Sequence, residues 1–320
     1  MHNLTFHDHH PTLINFEEEV LKGLSLPQKK FIPQFFYHDQ KGSDLFNQIC
    51  QLDEYYPTRT EIKILQQNMS EIVDCIGENS LLIEYGSGSV EKAYLLLDSL
   101  QSPYGYMPID IAKIHLLDYI KVTAQKYPHL KIIGVVADYT NTMDILDEVK
   151  DVDNPVIFFA GSTIGNLDYP DAIALLQQSA NLLQNRGGLL IGVDLKKDPN
   201  ILHAAYNDQK GVTAQFNLHV LENINQELNS NFNLDTFAHY AFYNPYHGRI
   251  EMHLISKIAQ DIQVQNQIFH FQAGETIHTE NSYKYSQDDF QILAQEGGFQ
   301  VQKIWTDPEE LFALFYCVPS

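Results

Sequence analysis

The run LLIEYGSGSVEK (81–92) puts a carboxylate, Glu84, just ahead of two glycines, Gly86 and Gly88, spaced by one residue. Glycines there let the backbone turn sharply and approach a ligand closely. The GxGxxG pattern that cradles a pyrophosphate is incomplete, because Glu91 stands where the third glycine would be. Glu84 and Glu91 would also repel a pyrophosphate. An acid directly before the glycines suits a cofactor that carries an amino-acid moiety and no phosphate, and S-adenosylmethionine is one such cofactor. A lone GxG is also a common structural turn, so the loop alone leaves both readings open.

The following apolar runs end in further groups able to hold a ligand. Asp110 closes one of them, 24 residues after Gly86, where an acid can accept hydrogen bonds from both ribose hydroxyls. Asp138 closes the next and is followed by Tyr139. A carboxylate at that position can accept an adenine amino group, with the tyrosine packed beside it. GSTIGNL (161–167) follows a fourth run, over the reacting centre. As helix N-caps, Asp110 and Asp138 would need no ligand. Four strand ends of this kind in sequence favour the cofactor.

The elements that must carry these residues are legible from periodicity. SLLIEYG (80–86), YGYMPID (104–110), KIIGVVAD (131–138), NPVIFFAG (154–161) and GLLIGVD (188–194) read as short buried strands. Between them EKAYLLLDSL, IHLLDYIKVTAQKY and YPDAIALLQQSANLLQN have helical spacing. Strands alternating with amphipathic helices predict an α/β fold with a parallel sheet. The alternation breaks over 196–286, where a helix (216–228) precedes antiparallel strands joined by the turn YNPYHG. It resumes with DDFQILAQEGG, stopped by Gly297-Gly298, and two terminal strands. One domain therefore comprises 61–195 plus 287–320. The second, smaller α+β lobe comprises 1–60 plus 196–286. In its first part SDLFNQICQL (43–52) reads as a helix capped by Ser43.

Composition narrows the partners. The chain has 320 residues and a formal net charge of −21, a surface that repels phosphate backbones and excludes nucleic acid. Its three cysteines lack CxxC spacing, which fits a reducing, cytoplasmic compartment. No run approaches the roughly 20 apolar residues of a membrane span, and the N-terminus has no signal-peptide pattern. His7, His9 and His10 fall in a segment that reads as a flexible arm. His239, His247 and His253 show no paired-ligand spacing, so no metal is expected. Nothing suggests an obligate interface, and a monomer is expected.

The motifs also resemble those of the L-histidine Nα-methyltransferases of ergothioneine biosynthesis, from about Pro33 to the C-terminus. The resemblance rests on GSDLFNQICQLDEYYPTRTE (42–61), EYGSGSVEK, AGSTIGNL, AYNDQKGVTAQFN (205–217), RIEMHL (249–254) and IHTENSYKY (277–285). It implies a Rossmann-like class I methyltransferase sheet with an added substrate-binding lobe, and trimethylation of L-histidine to hercynine by S-adenosylmethionine. Lys92 then joins Glu84, Gly86, Gly88, Asp110, Asp138 and Tyr139 at the cofactor. Tyr55 contacts the substrate imidazole, Asn166 and Tyr206 hold its α-amino and α-carboxylate groups, and Gly161 shares the loop of Asn166. Glu280 and Ser282 read the imidazole, and Met252 lines the pocket. The family usually places Tyr-Asp ahead of the Gly-Ser of the first block. Here FFYHDQKGS puts His38 in the tyrosine register and Tyr37 one earlier, so three alternatives stay open: the role passes to Tyr37, His38 takes it, or neither is needed.

The alternatives are the same reaction on another aromatic amino acid or derivative, a nucleotide-dependent oxidoreductase, and a binding protein without turnover. Glu280 separates the first from histidine, because an indole gains little from a carboxylate. The missing third glycine disfavours the second. Met252 can equally be a core residue of its strand.

Overall fold

The computed structural model describes residues 3–10, 15–31, 36, 39–87, 90–140 and 152–320. The chain divides into two compact units, one of Met1–Leu13, Arg59–Leu195 and Tyr285–Ser320, the other of Ile14–Thr58 and Lys196–Lys284.

The first unit is built on an eight-stranded sheet. Its strands are β1 (Leu4–Asp8), β2 (Ser80–Tyr85), β3 (Gly105–Asp110), β4 (Ile132–Val136), β5 (Asn154–Phe159), β6 (Gly188–Asp194), β12 (Phe299–Thr306) and β13 (Phe312–Pro319). Their order is β1-β4-β3-β2-β5-β6-β13-β12, parallel through β6 and antiparallel for the last two. This is a Rossmann-like, doubly wound α/β sheet with an antiparallel pair at one edge. Nearly every residue of β2 to β6 is buried, as expected of strands covered on both faces. Helices α3 (Tyr56–Ile76), α4 (Val90–Ser99), α5 (Lys113–Lys126), α6 (Tyr169–Leu183) and α9 (Gln287–Glu296) accompany it. Leu82, Ile120, Val156, Phe158, Leu190 and Phe312 lie in one core, each worth about 1.5–3 kcal/mol when fully buried. Strand order reverses between β2 and β5, the switch point where open α/β sheets bind ligands.

The N-terminal segment departs from expectation. Residues 4–8 are strand β1, paired in parallel with β4, and not part of an arm or of the second lobe. Leu4 and Phe6 pack on the core, and Asn3 Nδ2 donates to the Ala124, Tyr127 and Leu130 carbonyls. The strand is only five residues, LTFHD, with two apolar side chains, and the histidine and acid directly after the second of them hid it.

The second unit contains α1 (Phe16–Ser25), α2 (Gln40–Ile49), α7 (Pro199–Tyr206), α8 (Val212–Leu228), a hairpin of β9 (Gln260–Val264) and β10 (Gln267–Phe271), and a three-stranded antiparallel sheet. That sheet has the order β11 (Thr276–Tyr283), β8 (Arg249–Ser256), β7 (Phe237–Asn244). Helix α2 starts four residues earlier than its apolar spacing suggests. Its cap is Asp39, not Ser43: the Asp39 carboxylate accepts the Gly42 N–H at 2.9 Å. The same carboxylate faces His219 Nε2 on α8 at 2.9 and 3.0 Å, while His219 Nδ1 faces Glu222 at 2.8 Å.

Three other histidines of this unit are held neutral by burial. His239 donates from Nε2 to the Tyr206 carbonyl and accepts at Nδ1 from Asn217, at 2.8 and 2.9 Å. His253 and His278 stack with ring centroids 4.7 Å apart and planes 13° apart. Burial pulls all three below the ordinary value of 6.5, His278 to about 4. A histidine depressed in the fold binds its proton more readily when unfolded, so stability rises with pH across that window and is lost as pH falls from 6.5 toward 4. Urea midpoints measured between pH 6.5 and 5 should therefore fall. In His278→Gln the fall should be shallower, by at most about 1.4 kcal/mol per pH unit. Equal slopes would mean that His278 is already charged in the folded chain.

Candidate functional site

The groups expected at a cofactor lie at the carboxyl ends of β2, β3 and β4 in the first unit. Gly86 has φ +76°, and a Cβ built on it would meet only the Tyr139 ring, at 4.0 Å. The turn thus needs glycine and leaves open space beside a tyrosine face. Tyr139 stacks on Tyr85 at 5.3 Å. Asp110 Oδ2 accepts from the Ser87 N–H at 3.0 Å and its Oγ–H at 2.8 Å, and Oδ1 accepts the Ala112 N–H at 2.8 Å. One carboxylate therefore ties the glycine loop to the end of β3, and its remaining lone pairs suit a diol. Asp138 Oδ1 accepts the Thr140 N–H at 2.8 Å and hydroxyl at 2.6 Å. Neither aspartate caps a described helix through its side chain. Gly88 lies outside the described residues.

Glu84 has a different character from the one its sequence position suggests. It is 1% exposed, takes the Tyr106 hydroxyl on Oε2, and has no partner on Oε1 among the described residues. Burial raises it to about 8, so at neutral pH it is mostly a neutral acid. It cannot repel a pyrophosphate as argued from sequence. An orphaned buried carboxyl oxygen under the glycine loop fits a polar cofactor group.

Lys92 and Gly161 meet at a residue that the sequence reading left without a role. Glu61, in EYYPTRTE, is fully buried and forms an ion pair with Lys92, itself 3% exposed. Both Glu61 oxygens accept the Gly161 N–H at 3.0 Å. Gly192 on β6 leaves room for this carboxylate, since a Cβ there would lie 2.1 Å from Glu61 Oε1. Three motifs, EYYPTRTE, GSVEK and AGSTIGNL, thus share one buried charge cluster. Beyond Gly161, Ser162 Oγ accepts the Asp194 N–H at 2.9 Å, and Thr163–Asn166 forms a single 3-10 turn that carries Asn166.

In the second unit the expected substrate residues gather at α7 and β11. The Tyr206 and Tyr55 rings meet edge to face at 6.2 Å, and Phe46 lies edge-on to Tyr55 at 6.3 Å. The Tyr206 hydroxyl donates to Ser282 Oγ at 2.8 Å. Glu280 pairs with Met252 across the β8–β11 ladder, and Ser282 pairs with Ile250. The register shifts between His278 and Glu280, an inserted residue, Thr279, whose hydroxyl donates to the Met252 carbonyl at 3.1 Å. Such a bulge re-aims the side chains beyond it. It puts Glu280 and Ser282 on the opposite face from His278. Met252 is buried. Tyr37 and His38 lie outside the described residues.

Among the described residues, Glu251, His253 and His278 offer ligand atoms within 4.8 Å of one another. Imidazole lone pairs lie in the ring plane, and these two planes are stacked. One ion cannot sit in both, so the arrangement does not fit a shared metal. Among the described residues no helix is long and apolar enough to cross a membrane.

A family model described as "Histidine-specific methyltransferase, SAM-dependent" matches residues 16–319. The chain is 38% identical over 305 residues to the histidine N-alpha-methyltransferase of Mycolicibacterium smegmatis, covering 94% of each chain. It is 36% identical over 301 residues to that of Mycobacterium tuberculosis, covering 92% of each. It is 26% identical over 322 residues to the 4-dimethylallyltryptophan N-methyltransferase of Claviceps purpurea, covering 91% of each.

Breaking a buried ion pair from one side leaves an uncompensated charge and typically destabilises by about 3–5 kcal/mol. Glu61→Gln should do so, by strand Lys92. The double variant Glu61→Gln, Lys92→Met should recover at least half of the loss in urea unfolding. No recovery would mean that Glu61 acts through Gly161 alone.

Proposed function

The chain belongs to the histidine-specific, S-adenosylmethionine-dependent methyltransferases, and we propose that within this family it methylates the α-amine of L-histidine three times, giving hercynine for ergothioneine biosynthesis. It is an S-adenosylmethionine-dependent N-methyltransferase acting on an amino acid. What carries the narrower reading is Glu280 and Ser282 two residues apart beyond the bulge, with Ser282 bonded to Tyr206. A carboxylate and a hydroxyl so placed offer an acceptor and a donor, the pair that the two nitrogens of an imidazole ask for.

Bound S-adenosylmethionine supplies an electrophilic methyl on a sulfonium. The residues around it orient and exclude water; alignment of this kind is worth about 7–11 kcal/mol in good cases. On this reading Asp110 takes the ribose hydroxyls and Asp138 the adenine amino group, with Tyr139 as the packing face. Glu84 and the Gly86 turn face the amino-acid end, and Lys92, through Glu61, holds the neighbouring loop. Asn166 accepts an N–H of the substrate amine and directs its lone pair. Its amide takes no proton at neutral pH, so water or a hydroxyl carries the proton away. Tyr206 holds the substrate's amino-acid end. The product is a quaternary ammonium without N–H donors, which aromatic faces tolerate well; Tyr55, with Phe46 behind it, is suited to that role.

The test is mass spectrometry of purified protein with S-adenosylmethionine and L-histidine, where trimethylhistidine is the expected product. Glu280→Ala should lower kcat/KM for histidine by roughly 10- to 150-fold, the value of one hydrogen bond to a charged group, about 1.5–3 kcal/mol. No methylated histidine, with methylation of a tryptophan derivative instead, would replace histidine as the substrate.

A further inference from the structure

Lys284 is 2% exposed, and a buried ammonium must place its protons on acceptors. It follows β11 by one residue. Its Nζ donates to Ser282 Oγ at 2.7 Å and to the Tyr206 hydroxyl oxygen at 3.1 Å, and lies 5.0 Å from the Tyr206 ring centroid. Ser282 Oγ also accepts the Tyr206 hydroxyl proton at 2.8 Å.

A serine hydroxyl has two acceptor sites and one proton. Lys284 and Tyr206 occupy both acceptor sites. Lys284 offers no acceptor in return, and the Tyr206 O–H is already directed at Ser282. The Ser282 proton must therefore point out of the triangle. We propose that Lys284 is a positioning residue that fixes the polarity of Ser282, making it an obligatory donor, so that the site takes the substrate imidazole only as the neutral ring.

This rests on Glu280 and Ser282 being the imidazole pair. The neutral ring gives its N–H to Glu280 and its bare nitrogen to the Ser282 O–H. An imidazolium has no bare nitrogen and would set an N–H against that O–H. Without Lys284, Ser282 regains an acceptor site, its hydroxyl can turn, and the charged ring is no longer refused.

The charged and titratable neighbours of the triangle come from several elements. Tyr206 comes from α7. From β8, Ile250 faces Ser282 in the ladder, and Arg249 faces Tyr283. At the β7–β8 turn the Lys284 N–H bonds the Gly248 carbonyl, and Lys196 lies beside that glycine. Arg249, Glu251, His253 and His278 belong to the other face of the sheet, where Glu251 takes Arg249 and His253.

Hercynine separates the ring from the amine, because its quaternary nitrogen carries no proton. Calorimetry of hercynine binding at pH 5.5 in buffers of different ionisation enthalpy reads protons released. With a ring pKa near 6.5, binding only the neutral form should release about 0.9 proton and weaken affinity about tenfold relative to pH 7.5. Lys284→Met should release much less and weaken less than about threefold. Ser282→Ala should lose the release in the same way, and it serves if Lys284→Met does not fold. Tight binding by the native chain without proton release, or release unchanged in the folded Lys284→Met variant, overturns the proposal. Failure of hercynine and histidine to bind at pH 7.5 would overturn the substrate reading itself.

Discussion

A carboxylate closed off from water, Glu61, holds together parts of the chain that are far apart in sequence. Its partners are an ammonium on α4 and a backbone N–H in the loop after β5, and the strand beside it gives up a side chain at Gly192 to make room. Desolvating an acid is expensive unless every oxygen is met. The arrangement therefore admits few substitutions at any of its members. It sets where the Gly161 loop leaves the sheet, and with it the turn that carries Asn166. Lys92 thus has one side of its charge already committed to Glu61.

The second unit solves a similar placement problem with backbone. One inserted residue in β11 reverses which side chains face which way, so that His278 joins the Glu251–His253 face while Glu280 and Ser282 take the other. The two faces remain connected: His278 Nε2 donates to the Glu280 carbonyl at 3.1 Å. A neutral, stacked imidazole is therefore part of what fixes Glu280. The histidine pair depressed by burial is thus next to the residue proposed to read the substrate ring.

The sheet was legible because its strands are short and apolar throughout, and because their ends carry acids and glycines in order. Four kinds of feature were not legible, each for a physical reason. β1 is a short run, LTFHD, with only two apolar residues, yet Leu4 and Phe6 suffice to seat it. The α2 cap moved from Ser43 to Asp39 because a carboxylate that also meets His219 outweighs local spacing. The bulge at Thr279 has no signature in residue type, since any residue can be the extra one. Glu61 and Lys284 lay within quoted motifs, EYYPTRTE and IHTENSYKY, but a charged residue in a short motif looks the same whether it faces water or a buried partner.

Glu84 shows how far the same ambiguity reaches into chemistry. Read as a charge, it argued against a phosphate-bearing cofactor. Folded, its carboxyl lies beneath Tyr106 and Tyr119, whose hydroxyls form a chain leading to it, and burial keeps it protonated at neutral pH. The part of the electrostatic argument that rested on Glu84 disappears. The steric part stands, because the third glycine of a pyrophosphate loop is still Glu91. A neutral acid can give a proton from one oxygen and accept on the other, so Glu84 fits a cofactor through hydrogen bonds and not through its charge. The features that favour an amino-acid-bearing methyl donor over a dinucleotide are then the shape of the glycine turn and the free lone pairs of a carboxylate, Asp110, at its edge, both of which are anchored by backbone hydrogen bonds.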